Sequence, residues 1–303
     1  MKTDAYQMVT DRICAALEKG VKPWAVPWAG GIPSGAWSGQ NGKVYSLLNQ
    51  MLLSDPRKEY KTITEIMDDV RGEWVTFNQA KDRGGSIKKG EHGRPVVFYD
   101  LIEKRGQDEL PEDERVKIPF IRWSTVFRLG QCEGISQKYH TETEERQNEK
   151  SLDAEQVITD YLKRTGVRLC VKNTNRAYYQ PALDAVVVPE IGQYRNAAEY
   201  YSTLFHELTH STGHASRLNR DQSGGFGSEQ YSEEELVAEI GSASILATLG
   251  IEQAASFNNS AAYIKGWLKA LRNDKRMIVK AAAKAEKAIR LILNIPDDKK
   301  GAA

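Results

Sequence analysis

Apolar residues recur at helical spacing in the first twenty positions, where Val9, Ile13, Ala16 and Leu17 share a face and Gly20 ends the run, so the chain is expected to open with an amphipathic helix. Three Trp, three Pro and five Gly between positions 22 and 42 interrupt any period. They predict an extended stretch whose aromatic area pins it to a surface. Short helices are expected over 46–53 and 62–71, then a strand over 73–77. Asn78 is placed to cap a further short helix that stops at Gly84 and Gly85. RPVVFYDLIEK and VKIPFIRWSTVFRL read as two long strands, with the acidic RGQDELPEDER as the exposed hairpin tip between them.

The second half opens with a helix over 151–164 and three strand-like pieces, VRLCV, AYYQ and DAVVVP. Their β-branched and aromatic content predicts a small sheet. Helices follow over 197–212 and 232–249, with two more between 256 and 293. Sheet first and helices after is an α+β order, not the βαβ alternation of a nucleotide-binding fold. Residues 1–135 are read as one α+β domain, 136–150 as a linker holding the polar TETEERQNEK, and 151–303 as a second domain.

A length of 303 residues suits two domains, each with its own core. Lys and Arg number 42 against 41 Asp and Glu, so no bulk charge holds the chain on a polyanion and any nucleic-acid affinity must come from a local patch. No apolar run approaches the roughly 18 to 20 residues of a membrane span, and Asp, Arg and Glu interrupt the N-terminus, so a cytoplasmic protein with no membrane partner is expected. Cys14, Cys132 and Cys170 are odd in number and lack paired CxxC spacing, which argues against a disulfide framework.

Three of the five histidines fall within FHELTHSTGH: His206, His210 and His214. Chance supplies roughly 0.007 H-E-x-x-H matches in a chain of this composition. Positions four apart share a helix face, so His206 and His210 can direct ring nitrogens at one ion. Glu207 lies a third of a turn away, the position of a general base rather than a ligand. Zinc is the expected ion, with manganese or another divalent cation open.

Two imidazoles leave such a site one protein ligand short. Glu235 is one candidate, at the start of ELVAEIGSASIL, with Glu239 one turn further on to hold a ligating ring by its other nitrogen. A Glu followed four residues later by an acid resembles the third-ligand helix of the thermolysin-like zinc peptidases. His214 is the alternative third ligand, although Gly213 is placed to end the helix before it. Tyr231 and His214 are candidate oxyanion donors, and DAVVVP a strand edge for an extended peptide.

The N-terminal half carries no catalytic cluster but mixes cations with aromatics. QAKDRGGSIKKGEHGRP offers Lys81, Arg83, Lys88, Lys89 and Arg94 for phosphates, with Lys43 another candidate. Trp24, Trp28, Trp37, Tyr45, Trp74, Phe77 and Trp123 are candidates for stacking unpaired bases. On the last helix Arg276, Lys280, Lys284 and Lys287 form a basic stripe opposite Ile278, Ala281, Ala285 and Ile289, a second candidate contact for phosphates.

The sequence resembles the ArdC-type antirestriction proteins over almost its full length. YSLLNQMLL, WVTFNQAKDRGGSIKKGEHGRPVVFY and VFRLGQCEGI resemble that family's N-terminal domain, also found on plasmid-type primases. LFHELTHSTGH, YSEEELVAEIGSA and YIKGWLKALRNDKRMIVKAAAKAEKAI resemble its zincin-like domain. The resemblance implies a single-stranded-DNA-binding domain followed by a metallopeptidase-like domain, with His206, His210 and Glu235 as ligands, Glu207 in the catalytic position and an unidentified protein substrate. It also implies protection of incoming plasmid DNA from restriction. Arg128 and Leu129 depart from the family pattern, standing where a more polar turn is common. Two other readings use the same parts: a DNA-binding protein with a structural metal, and a repair-type protease acting on proteins bound to DNA.

Overall fold

Asp4 accepts a hydrogen bond from the Tyr6 amide and starts α1 (Ala5–Glu18), the amphipathic helix that the apolar spacing predicts. The computed structural model describes residues 4–19, 24, 35–58, 60, 63–103, 117–140, 154–194, 196–224, 228–251 and 261–296. The acidic RGQDELPEDER and polar TETEERQNEK lie outside them.

The N-terminal half then runs through β1 (Ala36–Ser38), α2 (Leu47–Leu52), α3 (Ile63–Val70), β2 (Gly72–Thr76), α4 (Phe77–Asp82), β3 (Ser86–Ile87), β4 (Arg94–Glu103), β5 (Lys117–Arg128) and β6 (Cys132–Glu133). Helix α4 is capped by Thr76, not Asn78. Thr76 Oγ1 accepts from the Gln79 amide while Gln79 Oε1 accepts from the Thr76 amide, a reciprocal T-x-x-Q cap that satisfies two donors at once. The main sheet has the order β1-β2-β5-β4; only its β1–β2 pair is parallel. Strands β3 and β6 form a separate two-stranded patch.

The C-terminal half holds α5 (Ala154–Thr165), β7 (Arg168–Lys172), β8 (Tyr178–Gln180), β9 (Ala185–Pro189), α6 (Ala197–Ser211), α7 (Glu229–Thr248), α8 (Ala261–Asn273) and α9 (Met277–Leu293). Ser228 caps α7, which therefore begins three residues ahead of the expected start. The three strands are ordered β7-β9-β8, with β9 in the middle and buried along its whole length. This is the α+β architecture expected from the order of elements.

Among the described residues two separate cores do not form. One cluster of buried side chains runs from Val9, Ile13 and Leu17 of α1, through Val96 and Val126 of the main sheet, to Leu204, Ile240 and Ile289. Trp24 meets Trp267 edge to face at 5.7 Å, and Thr10 donates to the Lys275 carbonyl, so the N-terminal segment packs on α8 and α9. A satellite cluster of Val75, Ala80 and Cys132 lies under α4 and β3. Cys14, Cys132 and Cys170 are free thiols. Among the described residues no helix is long and apolar enough to cross a membrane.

Candidate functional site

Asn196 caps α6 through the Glu199 amide, and Leu204, Phe205 and Leu208 bury one side of the helix. That fixes His206 and His210 on the flank facing α7, with their Nε2 atoms 3.1 Å apart. Helix α7 approaches closely because Gly241 carries no side chain: a Cβ there would stand 2.7 Å from Thr209 Cγ2. Glu235 is thereby brought 3.6 Å from His206 Nε2 and 3.5 Å from His210 Nε2. Tetrahedral bonds of 2.0–2.1 Å separate their ligand atoms by about 3.4 Å. These three side chains therefore fit one divalent ion, and two imidazole nitrogens with one carboxylate are a donor set that zinc takes readily.

Behind the ligands the arrangement differs from the sequence reading. Glu239 is 3.8 Å from His206 Nδ1, too long for a hydrogen bond. The close carboxylate is Glu234, 3.1 Å from His210 Nδ1. Arg220 donates to both oxygens of Glu234, at 2.7 and 2.9 Å, and also to Thr212 Oγ1 and the Thr209 carbonyl. Gln222 donates to Glu234 and to the His210 carbonyl. Gly213 admits both side chains, since a Cβ there would lie 2.6 Å from Gln222 Nε2 and 3.0 Å from Arg220 Nη2. Glu234, Arg220 and Gln222 escape the sequence reading: the run Glu233 to Glu235 signals acids without saying which faces His210, and no spacing rule points to Arg220.

Burial opposes a charge on His210, but hydrogen bonds to Glu234 and Glu235 outweigh it and carry the ring up to about 10. Burial likewise opposes ionisation of Glu234, and Arg220 and His210 overcome it, bringing that carboxyl down to about 2. The His210 shift reports carboxylates that stabilise positive charge at the ring, and the Glu234 shift reports the Arg220 and His210 charges that hold its carboxylate ionised. A cation suits this pocket.

Glu207, 8% exposed, lines a cavity of about 410 Å³ together with His206, His210, Glu235, Tyr231 and Tyr178. Tyr231 is half-buried in the wall of this cavity. His214 is not part of it: α6 ends at Ser211, and the His214 ring turns to Ser216, 2.8 Å away, outside the ligand cluster and the cavity lining. DAVVVP offers no edge either, because β9 has neighbours on both sides. Of the two edge strands, β7 and β8, it is β8 that brings Tyr178 and Tyr179 to the cavity.

Several N-terminal candidates prove to be core. Trp24 and Trp74 are fully buried, Trp37 nearly so, and burial of Tyr45 pushes its phenol up to about 12. Arg94 is buried against Asp69 through two hydrogen bonds, and Arg83 is held by Glu73, so neither is a spare cation. Trp28 lies outside the described residues. Lys43, Lys81, Lys88 and Lys89 are exposed. Phe77 and Trp123 remain as exposed aromatics, at 58% and 42%. Alternation along β5 puts Trp123 on the sheet face of Phe127, which packs on the satellite cluster with α4. On α9, Lys284 pairs with Glu233, Lys280 with Asp274, and Arg276 lies over Tyr6, so most of the basic stripe is already engaged.

Residues 3–127 match the family described as the N-terminal domain of anti-restriction factor ArdC, and residues 156–284 match a zincin-like metallopeptidase family. DNA primase TraC of Escherichia coli is 33% identical over 304 residues, covering 94% of this chain. The chain spans 20% and 27% of the lengths of two such primases. The protein y4eC of Sinorhizobium fredii (strain NBRC 101917 / NGR234) is 33% identical, with 94% of this chain and 90% of that protein covered. Two crystal structures of the antirestriction ArdC protein from plasmid R388 are similar throughout. The metal-free structure is 38% identical with a TM-score of 0.68, covering 95% of this chain and 96% of that one. The Mn(II)-bound structure is 35% identical with a TM-score of 0.69, covering 96% and 97%.

Proposed function

Because the chain belongs to the ArdC family of antirestriction proteins, we propose that it protects the DNA of a mobile element in the cytoplasm, binding single strands through its N-terminal half and carrying a zinc-dependent peptidase in its C-terminal half. The observation that carries the peptidase reading is the convergence of His206, His210 and Glu235 beside Glu207 in an open cavity. A structural site is closed by its ligands, whereas a catalytic one keeps an open side. The Mn(II)-bound relative and the zincin-like match support a divalent metal, and the donor set favours zinc.

An ion held by His206, His210 and Glu235 would supply Lewis acidity to polarise a scissile carbonyl and to lower the pKa of water. Glu207 accepts the proton of the attacking water and passes it to the leaving nitrogen. Tyr231 donates to the oxygen on which charge develops, and the edge of β8 pairs with an extended segment of the protein substrate. In the N-terminal half, exposed Phe77 and Trp123 support stacking of unpaired bases, and exposed Lys81, Lys88 and Lys89 support phosphate contacts.

The test is Glu207→Ala, assayed for metal content, single-strand affinity, protection from restriction and cleavage of a panel of DNA-bound proteins with and without single-stranded DNA. The variant is expected to keep metal and strand binding and to lose cleavage. Intact protection in Glu207→Ala would reduce the peptidase to a bystander of antirestriction. Cleavage confined to proteins crosslinked to DNA would establish the repair-type protease instead.

A further inference from the structure

Arg128, at the end of β5, is half-buried, and its guanidinium has no hydrogen-bond or ion-pair partner among the described residues. The four carboxylates that line the same cleft are already engaged. Asp55 pairs with Arg57, Asp69 with Arg94 and Lys58, and Glu73 with Arg83, while Glu91 accepts from Gln131. Burial pushes the Arg128 pKa down by more than the nearby charges of Asp69 and Asp68 raise it. An arginine does not release its proton in a protein, however, so the charge stays and calls for an anion.

The space for one is present. Arg128 lines a cleft of about 790 Å³ with Arg57, Lys58, Arg94 and Gly130. Gly72, in the same lining, has a φ of 123° that favours glycine, and the absence of a side chain there leaves the Arg128 Nε side open, since a Cβ would meet it at 3.5 Å. Arg94 Nε is a second buried donor without a partner. Lys88 Nζ donates to the Gly130 carbonyl and so brings the exposed basic loop to the rim.

Charge limits the ligand. The four cations and four carboxylates of the lining cancel, so an anion is held by the unpartnered donors of Arg128 and Arg94 and not by bulk charge, which suits a monoanion better than a dianion. We propose that this cleft seats an internal phosphodiester of the bound single strand, with Arg128 donating to its oxygens and Lys88 at the entrance. The assignment rests on the single-strand reading above and gives that reading a named contact outside the metal site.

The experiment is a salt titration of strand affinity by fluorescence anisotropy, using an oligothymidylate of about 20 nucleotides with the full-length protein, its Arg128→Gln and Arg128→Lys variants, and thermal unfolding of each. Arg128→Gln should bind roughly tenfold more weakly at low salt. Its slope of log affinity against log salt should fall in magnitude by about 0.7, the value for one single-strand phosphate contact. Its unfolding temperature should stay level or rise, because an unpaired buried charge has been removed. Arg128→Lys should keep the slope. Unchanged affinity and slope in Arg128→Gln overturn the assignment while leaving the DNA reading standing; failure of the wild-type chain to bind the strand overturns both. A gain from a 5′ phosphate that Arg128→Gln abolishes would place a strand end in the cleft and refute the internal phosphodiester.

Discussion

Arg220 grips both carboxylate oxygens of Glu234, and Glu234 stands directly behind His210, so a side chain from the loop between α6 and α7 is linked to a metal-ligand position through a single carboxylate. Such supporting groups hold a ring in the tautomer and orientation that an ion requires. Glu234→Gln should therefore weaken divalent-ion affinity by about 10- to 100-fold in a chelator competition. Arg220→Ala should do the same and also destabilise the fold by about 3 kcal/mol, since it takes the arginine counter-charge from a buried carboxylate. Wild-type ion affinity in both variants would remove the link from the account.

The close contact between α6 and α7 gives a second expectation. Gly241→Val places methyl groups against Thr209, in a contact with no room for them. Chemical denaturation should show a loss of about 1–3 kcal/mol. Ion affinity should fall with it, because Glu235 rides on the displaced helix. A variant as stable as the wild type would mean that the helices are not held apart by side-chain size.

The grouping of His206, His210 and Glu235 was largely legible in the chain because a four-residue interval on a helix fixes a shared face without outside help. His206 and His210 needed nothing more, and Glu235 needed only a second helix beginning near the first. The choice between Glu234 and Glu239 as the supporting acid depends on the rotation of α7, which the Gly241–Thr209 contact sets, and no local pattern records that. The aromatics failed for a related reason. Trp24, Tyr45 and Trp74 are core because distant segments cover them, Trp24 by Trp267, and composition does not distinguish a buried ring from a stacking platform. The loop cations Arg83 and Arg94 lose their availability to Glu73 and Asp69, acids that belong to other elements. The single shared core was likewise hidden, because α1 finds its partners in α8 and α9 at the other end of the chain.

Buried and exposed tryptophans should behave oppositely. Trp24→Ala is expected to cost about 3–5 kcal/mol in unfolding free energy, as for other large core truncations, with strand affinity of the folded protein unchanged. Trp123→Ala should leave stability within about 0.5 kcal/mol and weaken strand binding by about 1–3 kcal/mol, the value of one stacked base. The reverse pattern in unfolding and anisotropy measurements would return Trp24 to the DNA surface.

Acid sensitivity follows from Asp69. Burial alone would raise its pKa, but hydrogen bonds from Arg94, Lys58 and Tyr60 outweigh that and hold the carboxyl below the usual range. A group depressed in this way adds stability above its unfolded value of about 3.9 and loses it as pH falls towards the folded value. Melting temperature should decline below about pH 4, and Asp69→Asn should melt lower at neutral pH yet decline less steeply in acid. An identical acid decline in both proteins would assign the effect to other carboxylates.

The most direct measurement is the metal stoichiometry of the purified chain, by inductively coupled plasma mass spectrometry, alongside His206→Ala and Glu207→Ala. One divalent ion per chain in the wild type and in Glu207→Ala, with none in His206→Ala, is the result that a two-histidine, one-carboxylate centre with a separate general base predicts. Full occupancy in His206→Ala, or loss of the ion in Glu207→Ala, would contradict it.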